Sequence, residues 1–311
     1  MIFTSRAKKI KQGLKINKLL LILILSLIVI IVLTVGTICW GVYKLKWQGE
    51  IIDKILSVVP LPVARVDNNF ILSTNYLESL RVAQRFYQKQ REAKMPNIPT
   101  DQEIKKIIME DRMIENLLVK EIAKKYNITV TKQEINDKLE ELSKNKGSVE
   151  EVNKFLLEYY GIDAKKYKKI FIEPNLYYDK ANMAILNDQA INGEKINKIN
   201  EALQTLKNGE DFEKTAQQYT EEEDPLGNKI TQESFLRGEL PKDIEDQLFN
   251  MIEGNYTDVL KLQDGLIIVK LIKKDIEKGV LSLGKIVVKI RTIKDLIKDQ
   301  KEKAQIKIYA Y

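Results

Sequence analysis

From Leu19 to Tyr43 the chain runs 25 residues without a charged side chain, and no other feature restricts its fold so strongly. A helix needs about 20 apolar residues to cross a hydrocarbon core of about 30 Å, so this run is long enough to span. Arg6, Lys8, Lys9, Lys11, Lys15 and Lys18 precede it without a single acid, the flank expected on the cytoplasmic side. A cleavable signal has a shorter apolar segment of about 7–15 residues and a small-residue cleavage site, neither of which is present. Cys39 follows Gly36, Thr37 and Ile38 rather than the two small residues of a lipidation box. Trp40, Tyr43 and Trp47 fall where an aromatic belt meets the outer interface. The expectation is a single-pass cell-membrane protein: residues 1–18 as a cytoplasmic basic flank, 19–43 as a transmembrane anchor, and the rest extracytoplasmic.

Charge then has to be counted without the flank. Taking its six cations from the 51 basic residues leaves 45 against 44 acids, interleaved and without a basic stripe. That balance gives no footing for a nucleic-acid partner despite the net charge of +7. The one cysteine lies inside the apolar run, so the body has no disulfide to draw on and depends on packed cores. There is no histidine at all. Histidine-based triads, most catalytic zinc sites and imidazole proton relays are excluded, leaving carboxylates, lysine, tyrosine or shape. Nothing in the sequence implies a cofactor or a metal, and no glycine-rich phosphate loop occurs.

After the run, Val63 to Ile71 reads as two short strands around Asp67-Asn68-Asn69, with a helix opening at Ser73. Helices continue to about Lys180. Thr100 with Glu103, Thr131 with Glu134, and Ser148 with Glu151 have the spacing of capping boxes. Ile107, Ile108, Ile114, Leu117, Leu118 and Ile122 recur mostly at three and four, the stripe of a core-facing helix. From about Asn192 the pattern changes. Ile196, Ile199, Leu203 and Leu206 form a helical face closed by Asn208-Gly209, and Asp211 caps a helix bearing Phe212, Ala216 and Tyr219. A polar loop spans Glu221 to Glu233. Ile244, Leu248, Phe249 and Ile252 mark a helix ending at Gly254, and Val259–Leu262 with Gly265–Ile272 form a hairpin across Gln263-Asp264. A strand over Gly284–Ile290, a helix over about Thr292–Lys303 and a strand over Gln305–Tyr309 follow. The alternation of Lys285, Lys289 and Lys307 with apolar neighbours suggests half-buried edge strands. The fold class is α+β: a transmembrane helix, a mainly helical domain, and a small domain with an antiparallel sheet.

The stretch Lys207 to Ala216, followed by Tyr219-Thr220-Glu221-Glu222, resembles the opening of a parvulin-type peptidyl-prolyl isomerase domain. Phe235 to Pro241, Ile244 to Phe249, Glu253-Gly254 with Asp258-Val259, and Gly265 to Leu271 resemble the family's later pieces in order. The helical region before it resembles the N-terminal chaperone domain of the SurA and PrsA group of folding factors. The resemblance implies residues 44–191 as that chaperone domain and 192–275 as the parvulin-like domain. Residues 276–311 would be a strand-helix-strand completing the parvulin-like sheet. It also implies unfolded or newly exported polypeptides as partners. Monomer and dimer stay equally open.

Parvulins resemble one another in two active-site histidines, one on the first strand and one on the last, and both are missing. Ile267 stands at the last-strand position. The first strand is absent from its usual place; its best replacement is Gly284–Ile290 in a permuted order, with Lys285 where histidine is expected. By the resemblance, Glu222, Asp264 and Lys285 are the catalytic candidates, and Phe235, Leu240, Ile244 and Phe249 would line a proline pocket. The implied activity is prolyl isomerisation and chaperoning. The alternative is an inactive parvulin-like module holding one envelope or membrane partner.

Overall fold

The computed structural model describes residues 18–144, 147–262 and 265–310. The flank before Lys18 and the Asp264 candidate therefore lie outside the described residues. The chain divides into two compact units, Met1–Arg81 with Gln305–Tyr311, and Val82–Ala304.

The uncharged run forms α1 (Lys18–Tyr43), a helix long and apolar enough to cross a membrane, whose apolar stretch is unburied until Gly41 and Val42 at its end. It is followed by α2 (Glu50–Leu56), β1 (Pro62–Val66), β2 (Asn69–Leu72) and α3 (Ser73–Glu92). The β1–β2 hairpin turns through Asp67, whose φ of 49° is a left-handed conformation that Asp tolerates better than most residues. The fully buried Ser73 hydroxyl accepts from the Leu61 amide at 3.1 Å and donates to the Leu56 carbonyl at 2.8 Å, tying α2 to the hairpin.

Next come α4 (Asp101–Lys106), α5 (Glu115–Lys125), α6 (Lys132–Lys144), α7 (Val149–Tyr159), α8 (Ala164–Tyr167) and α9 (Glu173–Leu186). Thr100 and Glu103 close the expected capping box on α4, and Thr131 and Glu134 exchange the same bonds before α6. At Ser148 only the forward bond, from the Glu151 amide at 3.1 Å, is made. Ile108, Ile114, Leu118 and Ile122 are buried as their spacing predicts. Between α4 and α5, and again between α8 and α9, the helix widens into π-helical segments at Ile107–Ile114 and Lys168–Ile172.

The remaining elements are α10 (Gln189–Lys207), α11 (Phe212–Tyr219), β3 (Gln232–Leu236), α12 (Lys242–Asn250), β4 (Leu260–Lys261), β5 (Gly265–Asp275), β6 (Val280–Lys289), α13 (Ile293–Lys303) and β7 (Ile306–Ile308). Four strands make one antiparallel sheet in the order β3-β6-β5-β4. Its two faces follow the period of two. Leu266, Ile268, Ile286 and Val288 pack with Ile199, Leu203, Leu206 and Phe212 of α10 and α11. Val269, Leu271, Leu281 and Leu283 pack with Leu248 of α12.

Several expectations need correction. The strand around Lys285 is no edge: β6 lies between β3 and β5, and Lys285 is 5% exposed. Part of the supposed polar loop, with Phe235 and Leu236, is strand β3. The helix carrying Ile244 ends at Asn250, so Ile252 stands outside it and is exposed. The closing helix and strand do not complete this sheet. α13 packs against α5 and α9, with Lys301 and Glu115 paired at 2.7 Å. In the other unit β7 pairs with β1 in a sheet of order β2-β1-β7. The physical reason is backbone satisfaction: β6 already has a neighbour on each side, whereas β1, whose Ala64 and Val66 are fully buried, has an edge left open by β2.

Candidate functional site

Residues 265–271 and 281–287 alternate between the helix-covered face and the face toward α12, and the second of these carries the candidates. In the β5–β6 register Lys285 is opposite Val269 and Ile267 is opposite Val287. Ile267 and Lys285 are therefore diagonal neighbours on one face, and both line a pocket of about 670 Å³. Two positions taken from the resemblance, 18 apart in the chain and on different strands, thus meet at one site. Phe235 from β3, Leu240 before α12 and Ile244 within it supply apolar wall, with Glu222 at the polar side. A volume of this size is in the range of small-ligand and peptide side-chain sites.

Lys285 organises the charge. Its ammonium pairs with Glu222 at 2.9 Å and with Glu233 at shorter range, while its own side chain is 7% exposed. Burial pulls the Lys285 ammonium down, but the hydrogen bonds and charges of Glu233 and Glu222 outweigh it and hold its pKa above the ordinary lysine value. It is a cation at any physiological pH and not a base. The Glu222 backbone is fixed by the Ile230 amide, which donates to its carbonyl at 2.9 Å. Thr220 just before it is buried, its hydroxyl bridging β6 by donating to the Lys285 carbonyl and accepting from the Val287 amide, each at 3.3 Å. Glu221 turns elsewhere, to Lys195 at 2.7 Å and Lys198 at 2.6 Å. Burial raises the Glu221 pKa, yet the two lysine bonds prevail and leave it below the usual range.

Phe249 does not line the pocket. It packs against the Leu248 cluster, with the Arg237 guanidinium 4.4 Å from its ring centre. Glu233, which sequence reasoning had left at the end of a loop, is the third member of the charge cluster. Its signal was the spacing to Phe235, two residues on and so on the same strand face. Among the described residues no group of three or more acid or cysteine side chains is placed to hold a metal ion.

A small antiparallel sheet, helices over one face, and an apolar pocket with a polar wall on the other make up the domain that carries the site. Two family models match: SurA-like N-terminal domain over residues 8–172, and PPIC-type PPIase domain over residues 182–273. The chain belongs to the SurA-like N-terminal domain family and carries a PPIC-type, or parvulin, domain after it. No curated protein matches it. The PPIC-type match ends before β6, so the strand that brings Lys285 to the pocket lies outside the matched segment.

Proposed function

We propose that the chain is a membrane-anchored, extracytoplasmic folding factor that takes exported, unfolded chains and isomerises their prolyl bonds in the β5–β6 pocket. The observation that carries this is the pocket itself. Phe235, Leu240, Ile244 and Ile267 offer a proline ring an apolar seat, and the Glu222–Lys285 pair stands beside it. β6 takes the role of the missing first strand in a permuted order, and Lys285 the place of one histidine. Prolyl rotation needs no net proton transfer. The uncatalysed step takes tens to hundreds of seconds, and a pocket that strips water from the amide and presses it out of plane lowers the barrier. Lys285 is a positioning residue: it holds Glu222 and Glu233, and Glu222 is the group that faces a bound amide. α1 supports the placement at a membrane, with the cationic flank on its cytoplasmic side.

One observation favours a second reading. Glu222, which lines the pocket, is already engaged by Lys285, as is Glu233, and this suits a site that binds chains without turning them over. NMR exchange spectroscopy on a proline-containing peptide, with the detergent-solubilised chain, separates the two. Isomerisation accelerated by the chain and reduced at least tenfold in Glu222→Ala is the expected result. Peptide line-broadening that depends on Leu240 and Ile244, with the exchange rate left at its uncatalysed value, would replace it with the binding module.

A further inference from the structure

The end of α1 and the segment after it carry more exposed apolar surface than the first unit needs for its core. Trp40, Leu45, Trp47, Ile51 and Val58 are 59, 49, 40, 75 and 78% exposed. They are not scattered. The chain doubles back after Tyr43 through Lys46, whose φ is 55°. The Trp47 amide then donates to the Gly41 carbonyl at 3.0 Å, and a Cβ at Gly41 would meet the Trp47 ring at 2.3 Å. Trp47 is thereby returned to the level of the last turn of α1, over Gly41.

α2 begins three residues later, and its wheel has two apolar arcs. Leu56, 1% exposed, and half-buried Ile52 turn inward. Ile51, with Val58 beyond the helix end, turns outward, and Ile55 is half-buried between the two arcs. Glu50 and Lys54, paired at 2.6 Å, and Asp53 occupy the rest. A short helix that packs on a soluble core needs only the first arc.

We propose that α2, with Trp47, Ile51 and Val58, is a lipid-contacting foot lying in the interfacial layer of the bilayer that α1 crosses. The inference rests on the reading of α1 as an anchor. Lipid is the occupant for three reasons. The outward arc follows in the chain directly on Trp47, which lies over Gly41 in the last turn of α1, a helix whose own apolar surface is exposed. Two tryptophans stand at one level, as at membrane interfaces. Lys44, Lys46 and Lys54 border the arc, where phosphate headgroups would meet them. The foot is also braced: the Tyr43 hydroxyl donates to the Pro62 carbonyl at 2.8 Å, and Lys46 Nζ to the Tyr309 carbonyl at 3.0 Å. Its orientation is thereby passed to the sheet of the first unit.

The test uses the full chain in nanodiscs of phosphatidylcholine and phosphatidylglycerol. Cys39 is the only cysteine, so a nitroxide on it reports the span itself, and Ile51→Cys, Val58→Cys and Glu50→Cys in a Cys39→Ser background report the foot. Positions 51 and 58 should be oxygen-accessible and shielded from a water-soluble nickel chelate, at least threefold more so than position 50. The Trp40→Phe variant, whose one remaining tryptophan is Trp47, should be quenched by lipids brominated near the headgroup. Nickel access at 51 and 58 equal to that at 50, with Cys39 still in an oxygen-rich environment, would overturn the foot and leave the anchor standing. An aqueous environment at Cys39 would overturn the anchor reading first. Dipolar broadening at 51 and 58 that grows with the protein-to-lipid ratio would overturn lipid as occupant and put a second copy of the chain there.

Discussion

The place of β6 inside the sheet is open to a direct thermodynamic test through Ile286. This side chain is fully buried, is opposite Ile268 in the β5–β6 register, and packs in the cluster formed by α10, α11 and the sheet. Ile286→Ala removes three carbon groups; at about 0.8 kcal/mol each the lost transfer energy is about 2.4 kcal/mol. The cavity adds to this, because a site walled by Ile199, Leu203 and Ile268 on fixed elements collapses only in part, and the total falls at about 3–4 kcal/mol. Each 1.4 kcal/mol is a factor of ten, so amides on β5 that exchange only when the sheet opens should lose protection by roughly 150- to 700-fold. Hydrogen exchange read by mass spectrometry on peptides covering Gly265–Leu271, in the detergent-solubilised chain, measures this. Ile308→Ala, on the edge strand of the other sheet and already 42% exposed, should leave those peptides within about threefold of the parent. Unchanged β5 protection in Ile286→Ala would refute the argument that β6 replaces a missing strand.

Other outcomes follow from single residues. A Cβ at Gly284 would lie 2.9 Å from the buried Phe212 ring, so Gly284→Ala should cost about 1–3 kcal/mol, seen as a lower thermal unfolding midpoint; an unshifted midpoint would show that the ring is free to move. Bonds from Lys180 and from Thr131 hold the Glu134 carboxylate at a pKa of about 2 against an ordinary 4.5. Its stabilising effect is present above pH 4.5 and fades as pH falls toward 2, so the difference in unfolding midpoint between the parent and Glu134→Gln should shrink over that interval. A difference of constant size down to pH 2 would contradict the assignment. Lys285 works in the opposite direction. Its folded pKa lies above 10.5, so its stabilisation is complete below that value and is lost only as pH rises through the higher folded pKa. Unfolding of Lys285→Met compared with the parent across pH 6–11 should therefore show a gap that closes only at the alkaline end, and a gap that closes near neutrality would disprove it.

What the sequence announces well is what is decided locally. α1 is legible because no charge interrupts it, and the start of α11 because Asp211 accepts from the Glu213 and Lys214 amides, each at 3.0 Å. The pocket face of β5 is legible because alternation alone puts Ile267 and Val269 together. β3 was hidden for the same kind of reason: Gln232, Glu233 and Ser234 are polar and exposed on a sheet edge, so nothing in their pattern separates strand from loop. The π-helical segments leave no trace in side-chain spacing, since they change which carbonyl each amide reaches and not the apolar stripe. Lys285 looked like an edge lysine because its partners Glu222 and Glu233 are far away in the chain, and the pairing that makes its burial tolerable is a property of the folded sheet. Phe249 was misplaced because a helix face can turn one apolar residue to a pocket and its neighbour to a core.

The sheet formed by β1, β2 and β7 sets a timetable for synthesis. Asp67, at the tip of the first hairpin, accepts from the amide of Gln305, 238 positions later. At about 5–20 residues per second the ribosome takes on the order of 10–50 s to deliver the second strand after the first. Throughout that interval β1 has an unclaimed edge beside the apolar helix, and every intervening helix and strand has had time to form before it is filled. A nonsense or frameshift lesion anywhere in those positions would leave the same edge bare, so β7 acts as a seal applied only after translation has passed all the elements between the two strands.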